Sequence, residues 1–211
     1  MKIRASASPW LLITCFEPFG GRRRNASVAV SQHLVRELSQ RLSHWHTEVW
    51  ELPVAFIAAP RQVMDRLVLA QKAGLPPPRG VLCLGEARHG PRLETVAHNR
   101  ENCPGHPDNR GVERHNASVL PGGPDEVALP LTRALATGWP DHGSTDCGAY
   151  VCNHTAYLLA QELAPRTIPV GFVHVPAEGF EDWSQWGAVE TAAFLADALT
   201  RWARGEVQVQ W

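Results

Sequence analysis

Short apolar runs alternate with longer amphipathic stretches along the chain. The runs Leu11 to Phe16, Val49 to Val54, Gly80 to Gly85 and Ile168 to Val175 have the length and composition of buried strands. Between them, Ser27 to Leu42 sets Val30, Leu34, Leu38 and Leu42 near the helical period, with Ser27 placed as an N-cap. Pro60 to Ala73 repeats the pattern with Val63, Leu67 and Ala70, and Gly74 follows as a C-cap. Gly148 to Leu163 and Gly187 to Trp202 supply two more helices. The stretch Gly74-Leu75-Pro76-Pro77-Pro78 reads as a stiff turn and not a linker, because the apolar pattern resumes at once. Strands alternating with helices predict an α/β layered fold with a largely parallel sheet, in one domain spanning 1–211. Ligands of such sheets sit beyond the carboxyl ends of the strands.

Composition narrows the function. A formal net charge of -1 over 211 residues, without a long basic run, gives no footprint for nucleic acid. Arg22, Arg23 and Arg24 are the densest basic cluster; they read as a solvated turn, with an anion site as the alternative. In Met1 to Leu12 the apolar run is too short for a secretory signal, and no stretch approaches the roughly 18 apolar residues of a membrane span. The five cysteines, Cys15, Cys83, Cys103, Cys147 and Cys152, are odd in number and lack paired metal-ligand spacing. Reduced thiols in a cytoplasmic protein are expected, one of them a possible nucleophile.

Four segments carry chemistry. Thr14 to Gly21 follows the first strand, and Phe16 and Phe19 there either cap the core or wall a small pocket. Cys152 falls in the early turns of a helix, where backbone N–H groups favour a thiolate; Cys147 is a rival by position. His174 ends an apolar strand just before Val175-Pro176, and paired with a thiol it becomes a general base. Glu94 lies in a short strand suggested by the alternation of Leu93, Thr95 and Ala97, and its carboxylate suits the orienting role behind an imidazole. His98 and Asp108 are weaker alternatives for triad roles.

The order of segments resembles the pyrrolidone-carboxylate peptidase (pyroglutamyl peptidase I) family. Thr14-Cys15-Phe16-Glu17-Pro18-Phe19-Gly20-Gly21 is similar to its Thr-Gly-Phe-Glu-Pro-Phe-Gly-Gly, and Asn25-Ala26-Ser27 to its Asn-Pro-Ser. Glu94-Thr95-Val96-Ala97-His98-Asn99, Pro107 to Gly111, Ser118 to Pro121, Cys147 to Asn153 and Gly171 to Pro176 match further motifs in the same order. The resemblance implies an α/β/α sandwich around a mixed sheet. It makes Cys152 the nucleophile, His174 the base and Glu94 its orienter, and places Cys147 where the family has alanine. It also implies removal of an N-terminal pyroglutamyl residue from peptides, with no metal or organic cofactor, in a homodimer or homotetramer. Phe16, Phe19, Asn25 and Glu86 are then the substrate-binding set, and Arg88 or Arg92 serves the oxyanion.

The chain departs from the family in several places. Glu86 stands where many members have glutamine, the Gly85 to Arg92 loop is about two residues short, and Asn102 replaces a common aspartate. An ionised Glu86 accepts hydrogen bonds but donates none, so it suits a lactam N–H and repels a lactam carbonyl. Two other readings keep the fold and change the role: a lactam-binding or regulatory protein that has lost catalysis, or an amidase or acyltransferase using the same triad.

Overall fold

The computed structural model describes residues 8–211. The first seven positions of the Met1 to Leu12 segment, read above for a targeting signal, lie outside the described residues. The elements follow in the order β1 (Trp10–Phe16), α1 (Ala26–Arg41), β2 (His46–Leu52), α2 (Ala58–Lys72), β3 (Gly80–Ala87), β4 (Arg92–Glu94) and β5 (Val96–His98). There follow β6 (Glu126–Ala128), α3 (Pro130–Ala136), β7 (Gly143–Ser144), α4 (Val151–Leu163), β8 (Val170–Pro176) and α5 (Ala188–Ala203).

Six strands form one sheet in the order β2-β1-β3-β8-β4-β7. The pairs β1–β2, β1–β3 and β3–β8 are parallel; β4 runs antiparallel to β8 and parallel to β7. Strands β5 and β6 make a separate antiparallel pair. The layered α/β fold expected from the pattern is therefore present, with two reversed strands, β4 and β7, making the sheet mixed.

Strand alternation sorts side chains between two cores. Leu12, Phe16, Val81, Cys83, Val170 and Phe172 pack with Ala59, Val63 and Leu67 of α2 and Val151, Leu159 and Leu163 of α4. Leu11, Ile13, Leu82, Leu84, Val173 and Val175 pack with Leu34 and Leu38 of α1, Leu131 and Leu135 of α3, and Leu195 and Leu199 of α5. In β1, β3 and β8 the large apolar residues are each committed to one face or the other, which pins the register.

Boundaries moved for identifiable reasons. The cap of α1 is Asn25, whose Oδ1 accepts from the Ser27 N–H at 3.0 Å; the Ser27 hydroxyl instead accepts from the Phe16 N–H at 3.1 Å. Strand β2 starts at His46 and stops before Pro53, which has no N–H to extend a ladder. It is an edge strand, largely exposed, so its sequence lacks a continuous apolar run. The single strand expected around Leu93 to Ala97 is broken at Thr95 into β4 and β5, which join different sheets. Helix α4 begins at Val151, because Gly148 takes a left-handed turn with φ 78° ahead of it. Cys152 remains in its first turn. Trp183, Trp186 and Trp202 pack against the α1/α5 core, whereas Trp211 is more than half exposed. Among the described residues, no helix is long and apolar enough to cross a membrane.

Candidate active site

Three elements converge on the α2/α4 side of the sheet. Strand β8 brings His174, which shares a face with Phe172. In the parallel ladder, His174 is the register partner of Gly85 in β3. Above Gly85 lies the Cys152 thiol: a Cβ added at Gly85 would stand 2.8 Å from Sγ and 2.6 Å from the Phe172 ring. Only glycine leaves room for the sulfur, and this places Cys152 over the strand position beside His174. Strand β4 crosses on the other flank of β8, with Arg92 opposite His174 and Glu94 opposite Phe172.

The His174 Nδ1 lies 2.7 Å from the Glu94 Oε1. Glu94 is fully buried and His174 is 5% exposed, so the pair is shielded from screening water. The Glu94 backbone carbonyl accepts from the Thr132 hydroxyl of α3, which fixes the strand beneath the carboxylate. The Arg92 Nε lies 3.3 Å from Oε1, and Oε2 has no hydrogen-bond partner among the described residues. With Nδ1 held by a carboxylate, the imidazole keeps Nε2 as its free nitrogen for proton transfer.

The thiol does not match the expectation of a preformed thiolate. Burial pushes Cys152 up to about 12, and the neighbouring Glu94, Cys83 and Glu86 add to the rise. Its own backbone N–H pulls the other way and is outweighed. A helix terminus is worth about 0.3–1 kcal/mol in most settings, too little to offset desolvation of the sulfur. At neutral pH Cys152 is therefore a thiol, which would need a base to become a nucleophile. Cys147 is buried in the same region, and its thiol is raised well above the usual range, first by burial and then by Glu94. It is the less accessible of the two, since Cys152 alone among the five cysteines is partly exposed.

The aromatic residues pack as a chain of contacts, in which Phe16 and Phe172 are buried in the core and Phe19 and Tyr150 are only partly buried. Phe16 stands 6.5 Å from Phe172, and Phe172 stands 5.0 Å from the His174 ring, between centroids. Phe19 reaches Tyr150 at 6.2 Å, and Tyr150 meets Phe56 edge-on at 5.5 Å. Phe172 stands in the Gly171 to Pro176 motif and shares its strand face with His174, whereas nothing local pointed to Tyr150.

Other sequence-chosen residues are engaged elsewhere. The Asn25 amide donates to the Glu17 carbonyl at 3.0 Å while its oxygen caps α1, so it shapes the loop that carries Phe19. Glu86 shares the parity of Leu82 and Leu84 and turns toward α1, on the face away from Gly85 and Cys152. There it pairs with Arg22 and accepts the Ala26 N–H at 2.7 Å. This gives Arg22 a partner, so the arginine cluster is only partly solvated. Arg88 is exposed and stacks over Phe180 at 5.5 Å, whereas Arg92 belongs to Glu94. Asp108 accepts from the N–H groups of Phe56, Arg110 and Val112, and the His98 Nε2 lies 2.7 Å from the Thr145 carbonyl. Neither joins the His174 pair.

A family model described as pyroglutamyl peptidase matches residues 10–179. A pyrrolidone-carboxylate peptidase of Gloeobacter violaceus is 34% identical over 178 residues, covering 79% of this chain and 80% of the relative. One of Streptomyces coelicolor is 35% identical over 176 residues, covering 79% and 77%. The crystal structure of pyrrolidone carboxyl peptidase from Thermus thermophilus superimposes with a TM-score of 0.65 at 28% identity, covering 90% of this chain and 96% of that one.

Proposed function

Because the chain belongs to the pyroglutamyl peptidase family, we propose that Cys152, His174 and Glu94 carry out its reaction, the release of pyroglutamate from the N-terminus of a peptide. The protein is a cysteine peptidase of this class. The observation that supports this triad is the 2.7 Å contact of His174 with Glu94, next to the one strand position, Gly85, that leaves space for the Cys152 sulfur.

The chemistry follows from the groups present. A buried, protonated thiol attacks only as His174 Nε2 takes its proton, so nucleophile and imidazolium appear together. Glu94, already at Nδ1, stabilises the new positive charge. Sulfur bonds to the carbonyl carbon between the lactam ring and the next residue, and the carbonyl electrons move to oxygen. The α4 terminus has no capping side chain, which leaves first-turn N–H groups for that oxyanion. Collapse breaks the C–N bond, the imidazolium proton goes to the leaving amine, and a thioester remains. Water then attacks with His174 again as base and frees pyroglutamate. A pyroglutamyl ring has no α-ammonium group, so an apolar surface such as the partly buried Phe19 and Tyr150, backed by the buried Phe16 and Phe172, suits it.

The test is hydrolysis of an L-pyroglutamyl fluorogenic amide beside its glutamyl and prolyl analogues, with Cys152→Ala as control. Turnover of the pyroglutamyl amide alone, lost in the variant, is expected. Turnover retained by Cys152→Ala would remove the assignment.

A further inference from the structure

Helix α4 has an unusual beginning for an element that must hold a nucleophile still. Its N-cap is Tyr150, and no side chain caps the first turn. A Ser, Thr or Asp cap would occupy the N–H groups of the second or third helical residue, the donors that face a developing oxyanion. The helix is anchored sideways instead, through the residue that follows Cys152.

Asn153 is fully buried, and its amide is used on both sides. Oδ1 accepts from the His98 N–H at 2.8 Å; Nδ2 donates to the His98 carbonyl at 2.7 Å and to the Arg100 carbonyl at 2.9 Å. The side chain thus pairs with the backbone of β5 and the turn after it, as a peptide group would. The Asn102 N–H adds a bond to the Ala149 carbonyl at 3.0 Å, two residues before the helix. The segment being gripped is continuous with Glu94: β4 and β5 are separated by Thr95 alone.

We propose that Asn153 is a positioning residue that fixes the rotation of α4, so that the Cys152 sulfur stays over Gly85 within reach of His174 while the first-turn N–H groups remain free. Adjacent residues on a helix are about 100° apart, so a side chain held at 153 sets where 152 points. The same bonds tie the nucleophile's helix to the segment that supplies the orienting carboxylate, giving the triad one frame. The inference rests on the catalytic reading above.

The experiment compares Asn153→Ala with Ala160→Gly, which weakens the same helix without touching its first turn. Two quantities are read at matched folded fraction: hydrolysis of the L-pyroglutamyl amide, and the pH profile of Cys152 alkylation by iodoacetamide, located by peptide mass. Asn153→Ala is expected to lower kcat about 100-fold with KM moved less than about threefold, as a small displacement of a reacting group does. Its alkylation profile loses the limb that depends on His174, while Ala160→Gly keeps both. A wild-type-like alkylation profile in Asn153→Ala, or an equal loss in Ala160→Gly, overturns the proposal. Should Asn153→Ala fail to fold, Asn153→Asp is read in its place: it keeps the shape and the acceptor for His98 but turns an oxygen toward two carbonyls, and the same loss is expected. Wild-type protein inactive on the amide would overturn the catalytic reading, and the alkylation comparison would still decide the role of Asn153.

Discussion

Gly85 and Cys152 share one small volume: the position where a Gly85 Cβ would stand is 2.8 Å from the Cys152 sulfur and 2.6 Å from the Phe172 ring. Gly85→Ala therefore displaces the nucleophile or the ring that supports His174. Overpacking of this kind costs about 1–3 kcal/mol, which a folded domain survives. The expected result is a folded protein by circular dichroism, with a modestly lower Tm and kcat reduced far more than stability. Unchanged kcat would mean that the sulfur does not work above this strand.

Glu94→Gln keeps the shape of the buried side chain and removes its charge. An amide NH2 turned to Nδ1 favours the tautomer that carries its proton on Nε2, which is then unable to accept from the thiol. By comparison with orienting carboxylates elsewhere, kcat should fall on the order of 10⁴-fold with KM nearly constant. Steady-state kinetics on the pyroglutamyl amide measures both.

Glu86 acts on the thiol through space rather than by contact. Its own carboxyl is raised, first by burial, against the lowering pull of the Ala26 N–H and Arg22. It is also one of the charges that lift the Cys152 thiol. Glu86→Gln removes that charge, so the thiol should ionise more easily and iodoacetamide alkylation should shift to lower pH. KM for the amide should hold, since the side chain faces α1. A large change in KM without a shifted alkylation profile would place Glu86 against the substrate.

Alkaline stability follows from the buried thiols. Burial raises Cys83 to about 12 and Cys15 to about 11, from an ordinary value of 9.0. Between the unfolded and folded values the unfolded chain has released these protons and the native chain has not. Stability therefore is unaffected below the unfolded value and falls as pH rises through that window, by about 1.4 kcal/mol per pH unit for each such thiol. Urea midpoints measured from about pH 8 to about pH 11 should drop steeply, and Cys83→Ala should flatten the drop. An equal slope in that variant would trace the loss to other groups.

The elements with strong periodicity were legible without any coordinates. Helices α1, α2 and α5 lie within two residues of the apolar stripes that predict them, and β1, β3 and β8 are where the buried runs stand. The residues of the proposed triad were singled out from the sequence, through the resemblance of the segments around Cys152, His174 and Glu94 to family motifs in the same order. Strand β4 was not. It has three residues, pairs antiparallel beside β8 and owes its existence to Thr132 and β8, not to its own propensity.

Local sequence determined which residues share a strand face: Gly85 opposes Glu86 in any β3, by alternation alone. Which face receives the Cys152 thiol was decided by tertiary structure, since Cys152 lies 67 positions beyond Gly85 and its helix packs on the Gly85 side. The same holds for the 80-residue separation between Glu94 and His174, closed by the β4–β8 register. The ionisation state of Cys152 also belongs to the assembled fold: a helix start predicts a thiolate, and desolvation by the surrounding core reverses it. Periodicity records what each segment buries, while the sheet order records what meets across it, and no single segment encodes that order.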